Sequence, residues 1–512
     1  MMKTLEELRR EIDAADKDIL DAFDRRLAAV KCIGEIKKIQ GKPIYDEKRE
    51  KEKIDRLEKM AGFESKPYIN RLYTEIMGIA KDLEYRPMFG VLGKSLPHTY
   101  SPEIHSMITT DYAYTVIERE EDELAALWEQ GRSGIYGGFN VTIPYKKNAF
   151  AMCDVLTPCA KETGAVNTVV FREDKTSLGA NTDVYGFKYM LKSSGIDPEG
   201  KNVLILGTGG ASAAVNVALK ELNAGSIRFV SRNGEINYTN VYDVCADAQM
   251  IVNCTPAGMY PEILKSPVEL ERFGKLEAVA DIIYNPSCTR LLYDARKLGL
   301  KTAGGLKMLV AQAFKASAFF RGASDDMAAE AAVDTADIER VTEVLENKMK
   351  NITIIGMPGS GKTWLARELG VHLGRETVDL DDAYTEEYGE TPAQTIRSQG
   401  EDEFRKKESA VALRELSRSG IIISCGGGIV VREENHFPLK CNSTVIYNER
   451  PLDVLCLSNR PLSADNGVEK LYNSRKDKYE SLADIVIKVG KKDTREQYLE
   501  EAVRIYDENT CT

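Results

Sequence analysis

Val203-Leu204-Ile205-Leu206-Gly207-Thr208-Gly209-Gly210-Ala211-Ser212 lies a little before the middle of the 512-residue chain. Four consecutive apolar residues read as a strand buried on both faces, as in a parallel sheet. The glycines then allow a tight turn into a helix, whose first N–H groups attract an anion. Ser212 stands where a full G-x-G-x-x-G pattern has its third glycine. The next strand, 226–230, ends at Ser231-Arg232. That is where a dinucleotide-binding fold places the residue that meets the ribose, and an arginine there suits a 2′-phosphate. The stretch therefore predicts an α/β region that binds NADP(H). Short apolar runs alternate with helical patterns from about 88 to about 348, in keeping with that reading.

Outward from this region the rhythm changes on both sides. Towards the N-terminus, Leu5, Leu8, Ile12, Ala15, Ile19, Ala22, Ala29, Ile33 and Ile36 recur at helical steps. Gly41 and Pro43 break the pattern, and further helices are expected from about Asp46 to Met60 and from Pro67 to about Tyr85. Three unequal helices enclose little interior, so this module is expected to dimerise. Towards the C-terminus, Ala323 to about Lys350 reads as a terminal helix plus linker. A new strand then begins at Ile352.

A length of 512 residues corresponds to roughly three domains. Lys and Arg number 69 against 80 Asp and Glu, a net charge of −11. An acidic chain is a poor sequence-independent binder of nucleic acid or anionic membrane. The hydrophobic content of 43% and mean hydropathy of −0.32 describe an ordinary soluble protein. No apolar run reaches the roughly 18 residues of a membrane span. The charged start has no secretory pattern. Ten cysteines with no C-x-x-C spacing fit free thiols in a reducing, cytoplasmic setting. Four histidines argue against a His-rich metal centre.

Gly356-Met-Pro-Gly359-Ser360-Gly361-Lys362-Thr363 follows a strand and opens a helical pattern, the context that a phosphate-binding loop requires. Its backbone N–H groups surround phosphate, Lys362 reaches the β/γ oxygens and Thr363 ligates Mg²⁺. Downstream stand Asp379-Leu-Asp381, Arg405, Gly426-Gly427-Gly428, Arg460-Pro-Leu462 and Arg475. In that order the set resembles shikimate kinase, an α/β P-loop fold of the nucleoside-monophosphate-kinase type. The resemblance implies that Asp379 supports Mg²⁺ and that Asp381 holds and deprotonates the acceptor hydroxyl. Arg405 and Arg475 would clamp the shikimate carboxylate, a task that suits a planar guanidinium. Gly426–Gly428 would let backbone approach the ring, and Arg460 would close over ATP. The stretch before Arg460 is short and lacks a further lid arginine common in the family. A different small-molecule P-loop kinase is the competing reading of this region.

Around the middle region lie Thr99-Tyr-Ser101, Asn140-Val-Thr142-Ile-Pro144-Tyr-Lys146, Asn167 and Asn181-Thr182-Asp183. Asn253-Cys-Thr255, Gly258-Met259, Tyr284-Asn-Pro286 and Gly305-Leu-Lys-Met308-Leu-Val-Ala-Gln312 follow. The whole is similar to shikimate dehydrogenase. The resemblance implies Lys146 and Asp183 as the catalytic pair, with the lysine able to protonate the carbonyl oxygen as hydride arrives. Thr99, Ser101, Thr142, Asn167, Tyr284 and Gln312 would bind the substrate carboxylate and hydroxyls. The family usually has serine at the position of Thr99. Gly207, Thr208, Gly209, Gly210, Ala211, Ser231, Arg232, Thr255, Met259 and Gly305 would hold NADP(H).

In the helical module, Arg26 and Lys37 are separated by three helical turns plus about 20°, so they share a face. Basic residues aimed into a bundle suit an anionic ligand, and equally suit snorkelling at a surface. The module resembles an all-helical chorismate mutase of the intertwined-dimer type. The resemblance implies that Arg26 and Lys37, with Arg9 from a partner subunit, bind the two carboxylates and the developing ether charge. Asp46 and Glu50 would hold the hydroxyl. Ala80 and Glu84 stand where serine and glutamine are common. Glu84 can donate to the ether oxygen only when protonated, so mutase activity is expected to fall as pH rises.

These readings divide the chain at 1–87, 88–349 and 350–512. Within the second part, a substrate domain covers about 88–185, a Rossmann NADP domain about 186–310, and helices run to 349. They imply one enzyme of aromatic amino-acid biosynthesis that rearranges chorismate, reduces 3-dehydroshikimate and phosphorylates shikimate with ATP and Mg²⁺. The alternative makes the helical module a dimerisation and effector-sensing device without turnover.

Overall fold

The computed structural model describes residues 4–39, 47–62, 65–85, 87–97, 99–455, 467–488, 490 and 494–510. It divides into two compact units, Met1–Asn181 with Ala316–Ala332 and Thr182–Lys315 with Val333–Thr512. Among the described residues no helix is long and apolar enough to cross a membrane.

The first unit opens with helices α1 (Leu5–Ile39), α2 (Glu47–Met60) and α3 (Lys66–Tyr85). Among the described residues of these three helices only Met77 and Ala80 are buried apolar groups. Leu8, Ile12 and Ile19 on α1, and Tyr68, Leu72 and Ile79 on α3, are exposed. A six-stranded sheet follows, built from β1 (Met88–Gly93), β2 (Ala113–Glu118), β3 (Gly138–Val141), β4 (Val155–Leu156), β5 (Thr168–Phe171) and β6 (Ser177–Ala180). Its order is β2-β1-β3-β5-β6-β4. β5 runs antiparallel to both β3 and β6. The segment Ala316–Ala332 returns to this sheet: Phe320 stacks on Phe89 at 4.2 Å, and Phe319 and Ala329 pack with Leu178 and Ala180.

The second unit carries two five-stranded sheets, both parallel throughout. β7 (Asn202–Leu206), β8 (Ser226–Val230), β9 (Met250–Asn253), β10 (Ala278–Asp281) and β11 (Lys301–Gly304) lie in the order β11-β10-β9-β7-β8. The run Val203–Leu206 is fully buried, as its composition predicts. The chain leaves β7 for β8 on one side and then crosses to β9 on the other. This opens a crevice beyond the ends of β7 and β9, where such folds bind ligands. β12 (Asn351–Ile355), β13 (Thr377–Asp379), β14 (Ile422–Ser424), β15 (Ser443–Glu449) and β16 (Ile485–Lys488) lie in the order β13-β14-β12-β15-β16, with buried β12 at the centre.

One expectation fails. Ala323–Lys350 is not a helix and a linker but two helices, Asp326–Ala331 and Thr335–Met349, each with an aspartate N-cap. Ala-rich, charged sequence reads as solvated, yet Ala329, Ile338, Val341, Leu345 and Met349 are buried. The second helix ends at Met349, and β12 starts at Asn351. Arg375 donates to the Lys350 and Asn347 carbonyls at 2.8 and 2.7 Å, clamping the junction.

Candidate active sites

The loop after β7 meets the loop after β9 across a cleft of about 910 Å³. Gly207, Thr208, Gly209, Ser231, Arg232, Thr255 and Met259 line it. Gly207 has φ +101°, and a Cβ there would press on Thr255 at 3.0 Å. Gly210 and Ala211 begin the helix Gly210–Glu221, which points its N-terminus at the glycine loop. At Gly305 a Cβ would instead collide with the Ile282 carbonyl oxygen at 2.1 Å. The far wall is set by hydrogen bonds. Asn253 Oδ1 accepts from the Thr255 N–H at 3.0 Å and its hydroxyl at 2.7 Å. Asn253 Nδ2 donates to Asp281 at 3.1 Å, and Thr289 Oγ1 donates to the same carboxylate at 2.7 Å. Burial pushes the Asp281 carboxyl up to about 7, against lowering by the donors from Ile283, Thr289 and Asn253.

Asp183 and Gln312 belong to this same unit. Asp183 is buried in the first turn of the helix Asp183–Ser193. The preceding Thr182 donates its hydroxyl to Gln312 Oε1 at 3.1 Å, so the two predicted residues stand together. Tyr284 is half-buried just beyond β10, and burial raises its phenol pKa.

In the first unit, the other predicted polar residues gather around the ends of β1, β3 and β5. The Thr142 N–H donates to the Leu92 carbonyl at 2.9 Å, and the helix Lys146–Met152 starts at Lys146. The Val166 N–H donates to the Lys146 carbonyl at 3.0 Å, bringing the 146 and 167 segments side by side. Asn140 Nδ2 donates to Thr168 Oγ1, and that hydroxyl donates to Asn167 Oδ1, both at 3.1 Å. Thr99 Oγ1 accepts from the Ser101 N–H at 3.3 Å, fixing the turn into the helix Ser101–Ile108. Behind them His105 is buried between Tyr112 and Asn140, and burial drives its pKa down to about 3, leaving a neutral ring.

The second phosphate-type loop sits after β12. Gly356, Gly359 and Gly361 take φ of +146°, +79° and +95°. Ser360 is buried, and its carbonyl accepts from Asn448 Nδ2 at 3.0 Å. Lys362 is buried and donates to the Gly356 and Met357 carbonyls at 3.1 and 2.9 Å. Thr363 Oγ1 donates to Asp379 Oδ2 at 2.7 Å, and Asp379 Oδ1 accepts the Asp381 N–H at 2.9 Å. One N-capping carboxylate thus joins the metal-type pair to Asp381.

The three glycines after β14 complete this pocket. A Cβ on Gly426 would lie 2.7 Å from Glu408 and 3.3 Å from Asp381. On Gly427 it would meet Pro358 at 2.6 Å, and on Gly428 the Arg405 guanidinium at 2.2 Å. Arg475 donates to the Gly427 carbonyl at 3.0 Å. Arg405 pairs with Glu408 at 2.6 Å and Glu401 at 3.1 Å. Burial lowers the Arg405 pKa, but the two glutamates outweigh it, so the guanidinium stays charged. Sequence reading passed over Glu408. Its signal was its place three residues after Arg405 on the same helix.

In the helical module, Arg26 is half-buried and donates to the Ile76 carbonyl at 3.3 Å, one turn before buried Ala80. Partial burial lowers the Lys53 pKa, with further lowering by Arg26, Arg56 and Arg49. These cations lie near one another, and Arg49 and Lys53 were not anticipated. Glu50 is half-buried and Arg9 exposed. Lys37 and Glu84 fall on α1 and α3, but their side chains, and the whole of Asp46 and Arg460, lie outside the described residues.

Family models match the chain at three places. Shikimate kinase covers 358–506, chorismate mutase type II covers 8–85 and the shikimate dehydrogenase substrate binding domain covers 91–169. Among curated proteins, a shikimate dehydrogenase (NADP(+)) of Clostridium perfringens is 35% identical over 259 residues, 48% of this chain and 95% of that one. Its counterpart from Caldanaerobacter subterraneus is 36% identical over 248 residues, 44% and 88% respectively. Among solved structures, a chorismate mutase/shikimate 5-dehydrogenase fusion protein from Clostridium acetobutylicum aligns at TM-score 0.48 and 32% identity, covering 51% of this chain and 98% of that one.

Proposed function

The chain belongs to the shikimate dehydrogenase family, and from that premise we propose how its residues divide three reactions among them. A chorismate mutase type II module precedes the dehydrogenase and a shikimate kinase module follows it, so three activities of one biosynthetic route share a polypeptide. The domains are assigned to 1–87, 88–349 and 350–512.

In the dehydrogenase, NADPH supplies the hydride. Lys146 gives the proton to the carbonyl oxygen of 3-dehydroshikimate, and Asp183 acts with it as the orienting carboxylate. Thr99, Ser101, Thr142, Asn167, Tyr284 and Gln312 bind the acid and hydroxyl groups. The helix N-terminus at Gly210 takes the pyrophosphate, and Arg232 takes the 2′-phosphate.

In the kinase, Arg405 and Arg475 hold the shikimate carboxylate and Asp381 accepts the hydroxyl proton. Lys362 and the loop N–H groups stabilise the transferring phosphoryl group, and Arg460 closes over the nucleotide. The Thr363 hydroxyl and Asp379 carboxylate are hard oxygen donors that fit Mg²⁺, which neutralises phosphate charge when bound. The observation that carries the kinase reading is the glycine triplet. Any side chain at 426, 427 or 428 would collide with Glu408, Pro358 or Arg405, so backbone alone can face the ring of a small acceptor.

In the mutase, Arg26, Lys37 and a partner subunit's copy of Arg9 bind the carboxylates and the ether oxygen, with Asp46 and Glu50 on the hydroxyl. Acceleration comes from holding the compact conformer and stabilising transition-state charge. A homodimer through the helices is supported by the exposed residues Leu8, Ile12 and Ile19, spaced as a seam along one helix. The buried thiols Cys245, Cys288, Cys425 and Cys441 are free, which supports a reducing, cytoplasmic setting.

The test is to assay all three reactions on the purified full-length chain and to measure its mass in solution. Chorismate binding without prephenate formation would replace the mutase with a sensor. Glu84→Gln should extend mutase activity to alkaline pH, and an unchanged profile would remove Glu84 from the mechanism.

A further inference from the structure

The helix His436–Cys441 lies within the region matched by the kinase model, yet one side of it packs on the dinucleotide-binding region. Phe437 and Cys441 form a buried apolar cluster with Ile263, and Tyr293 and Leu413 pack against it. The Phe437 and Tyr293 rings meet edge to face at 5.2 Å, and the Arg290 guanidinium lies 5.5 Å from the Phe437 ring.

Polar contacts run beside this cluster. The Cys288 N–H donates to the Cys441 carbonyl at 2.9 Å, and Ser287 Oγ donates to the same carbonyl at 3.2 Å. The Ser287 N–H donates to Asn442 Oδ1 at 3.3 Å. Ser419 Oγ donates to Asn285 Oδ1 at 3.1 Å, and Asn442 Nδ2 donates to that serine oxygen, also at 3.1 Å. Asn285, Ser287 and Cys288, the three non-proline residues of the segment after Tyr284, are thus gripped by side chains and backbone from the kinase region. From the opposite direction, the Tyr260 N–H donates to the Asn285 carbonyl at 3.2 Å, and Thr289 is tied to Asp281.

We propose that the helix His436–Cys441, with Ser419 and Asn442, is a positioning element of the dehydrogenase: it holds the segment Asn285–Cys288 and thereby sets the place of Tyr284. This rests on the reading that Tyr284 binds the dehydrogenase substrate. The physical argument is economy of conformations. A segment between a strand and a helix has many backbone states, and each hydrogen bond from a packed neighbour removes some of them. Cys288 is 5% exposed, so loss of the Cys441 carbonyl would leave its N–H buried and unpaired, which is costly. The grip is therefore part of the native arrangement of the loop rather than an incidental touch. Phe437, Ser419 and Asn442 are positioning residues, for none is assigned to substrate or cofactor.

The test uses full-length Phe437→Ala and Ser419→Ala with initial rates of shikimate oxidation by NADP⁺. Because small displacements of positioning groups cost up to about 100-fold, Phe437→Ala should raise KM for shikimate roughly 5- to 20-fold and Ser419→Ala roughly 2- to 5-fold. KM for shikimate should rise more than kcat falls, and Phe437→Leu should recover most of the loss. A purely structural defect would instead lower kcat through a smaller folded fraction and leave KM unchanged. Should Phe437→Ala fail to fold, Ser419→Ala, which removes one hydroxyl, decides the matter. Unchanged KM in folded Ser419→Ala and Phe437→Ala overturns the proposal. Tyr284→Phe serves as the control: an unchanged KM there defeats the Tyr284 assignment itself and the positioning claim with it. A raised KM in Tyr284→Phe without one in the interface variants defeats the positioning claim alone.

Discussion

The chain contains two loops of the same plan, each a glycine-rich turn from the end of a central parallel strand into a helix. After β7 the loop is exposed at Thr208, Gly209 and Gly210, and no lysine stands in it. After β12 the loop closes around buried Lys362 and buried Ser360, with Thr363 bonded to Asp379. The difference follows the chemistry. The phosphates of a dinucleotide are held and not transferred, a task that asks only for main-chain donors and a rim charge such as the proposed Arg232. A phosphoryl group is transferred, so charge must be fixed where it develops, away from water. Two similar turns are separated in function by what surrounds them.

The largest expected effect is on that surrounding charge. Lys362→Ala should lower kcat for shikimate phosphorylation by roughly 100- to 1,000-fold while reduction of 3-dehydroshikimate proceeds unchanged. Lys146→Ala should do the reverse, with a loss of about 100- to 10,000-fold. Steady-state assays of both reactions on each variant measure this, and a parallel loss of both would show that the two centres do not work independently.

Next comes the rim of the open loop. Arg232→Ala should raise KM for NADPH by about 10- to 100-fold, the worth of charge-assisted hydrogen bonds to a phosphate, with little change for NADH. Equal changes for both cofactors would remove the 2′-phosphate from the arginine.

A smaller effect separates the two loops by backbone alone. Gly361 has φ +95°, so Gly361→Ala should cost about 1–2 kcal/mol of stability. Gly209 has φ −77° and nothing within 4 Å of an added Cβ. Gly209→Ala should therefore stay within about 0.5 kcal/mol in melting experiments, yet weaken NADPH binding, because the methyl enters the cleft. Equal destabilisation would erase the contrast.

A pH effect concerns Asp281, which through Asn253 braces the loop after β9 on the far wall of the cleft. Its folded pKa, about 7, lies above an unfolded value of roughly 3.9. The folded state therefore holds the extra proton between these values. Its contribution to stability is full below about pH 4, declines as pH rises to about 7 and is level above that. Denaturant titrations of Asp281→Asn should show a shallower decline over this window than the native chain, and parallel curves would contradict the assignment.

Both glycine loops, the three helices and the strands that carry them were legible because each is local. Periodicity, glycine placement and a run of a few polar residues lie within one short window. Glu408 was missed because an isolated glutamate on a charged helix looks solvated, and only the fold buries it against Arg405. Asp281 was missed for the same reason: its partners Asn253 and Thr289 come from other elements. Arg49 and Lys53 read as surface charges of a very polar helix until α1 brings Arg26 near them. The interface at Phe437 was invisible because Ile263, Phe437 and Cys441 look like ordinary core residues of two separate regions. The supposed linker misled because alanine and charge suggest solvent, whereas its apolar residues recur at helical spacing.

The junction between the helix Thr335–Met349 and β12 carries a mechanical meaning. A single residue separates a buried helix end from a buried central strand, and Arg375 pins it from the side. There is no slack to absorb a rotation, so twisting the helix end would strain the strand rather than bend a hinge. A protease needs an extended, exposed stretch of about a dozen residues to seat its substrate, and none exists at this joint. Cleavage that frees the last 160 or so residues should therefore require prior unfolding, and an inserted residue at 350 should disturb the sheet instead of lengthening a tether.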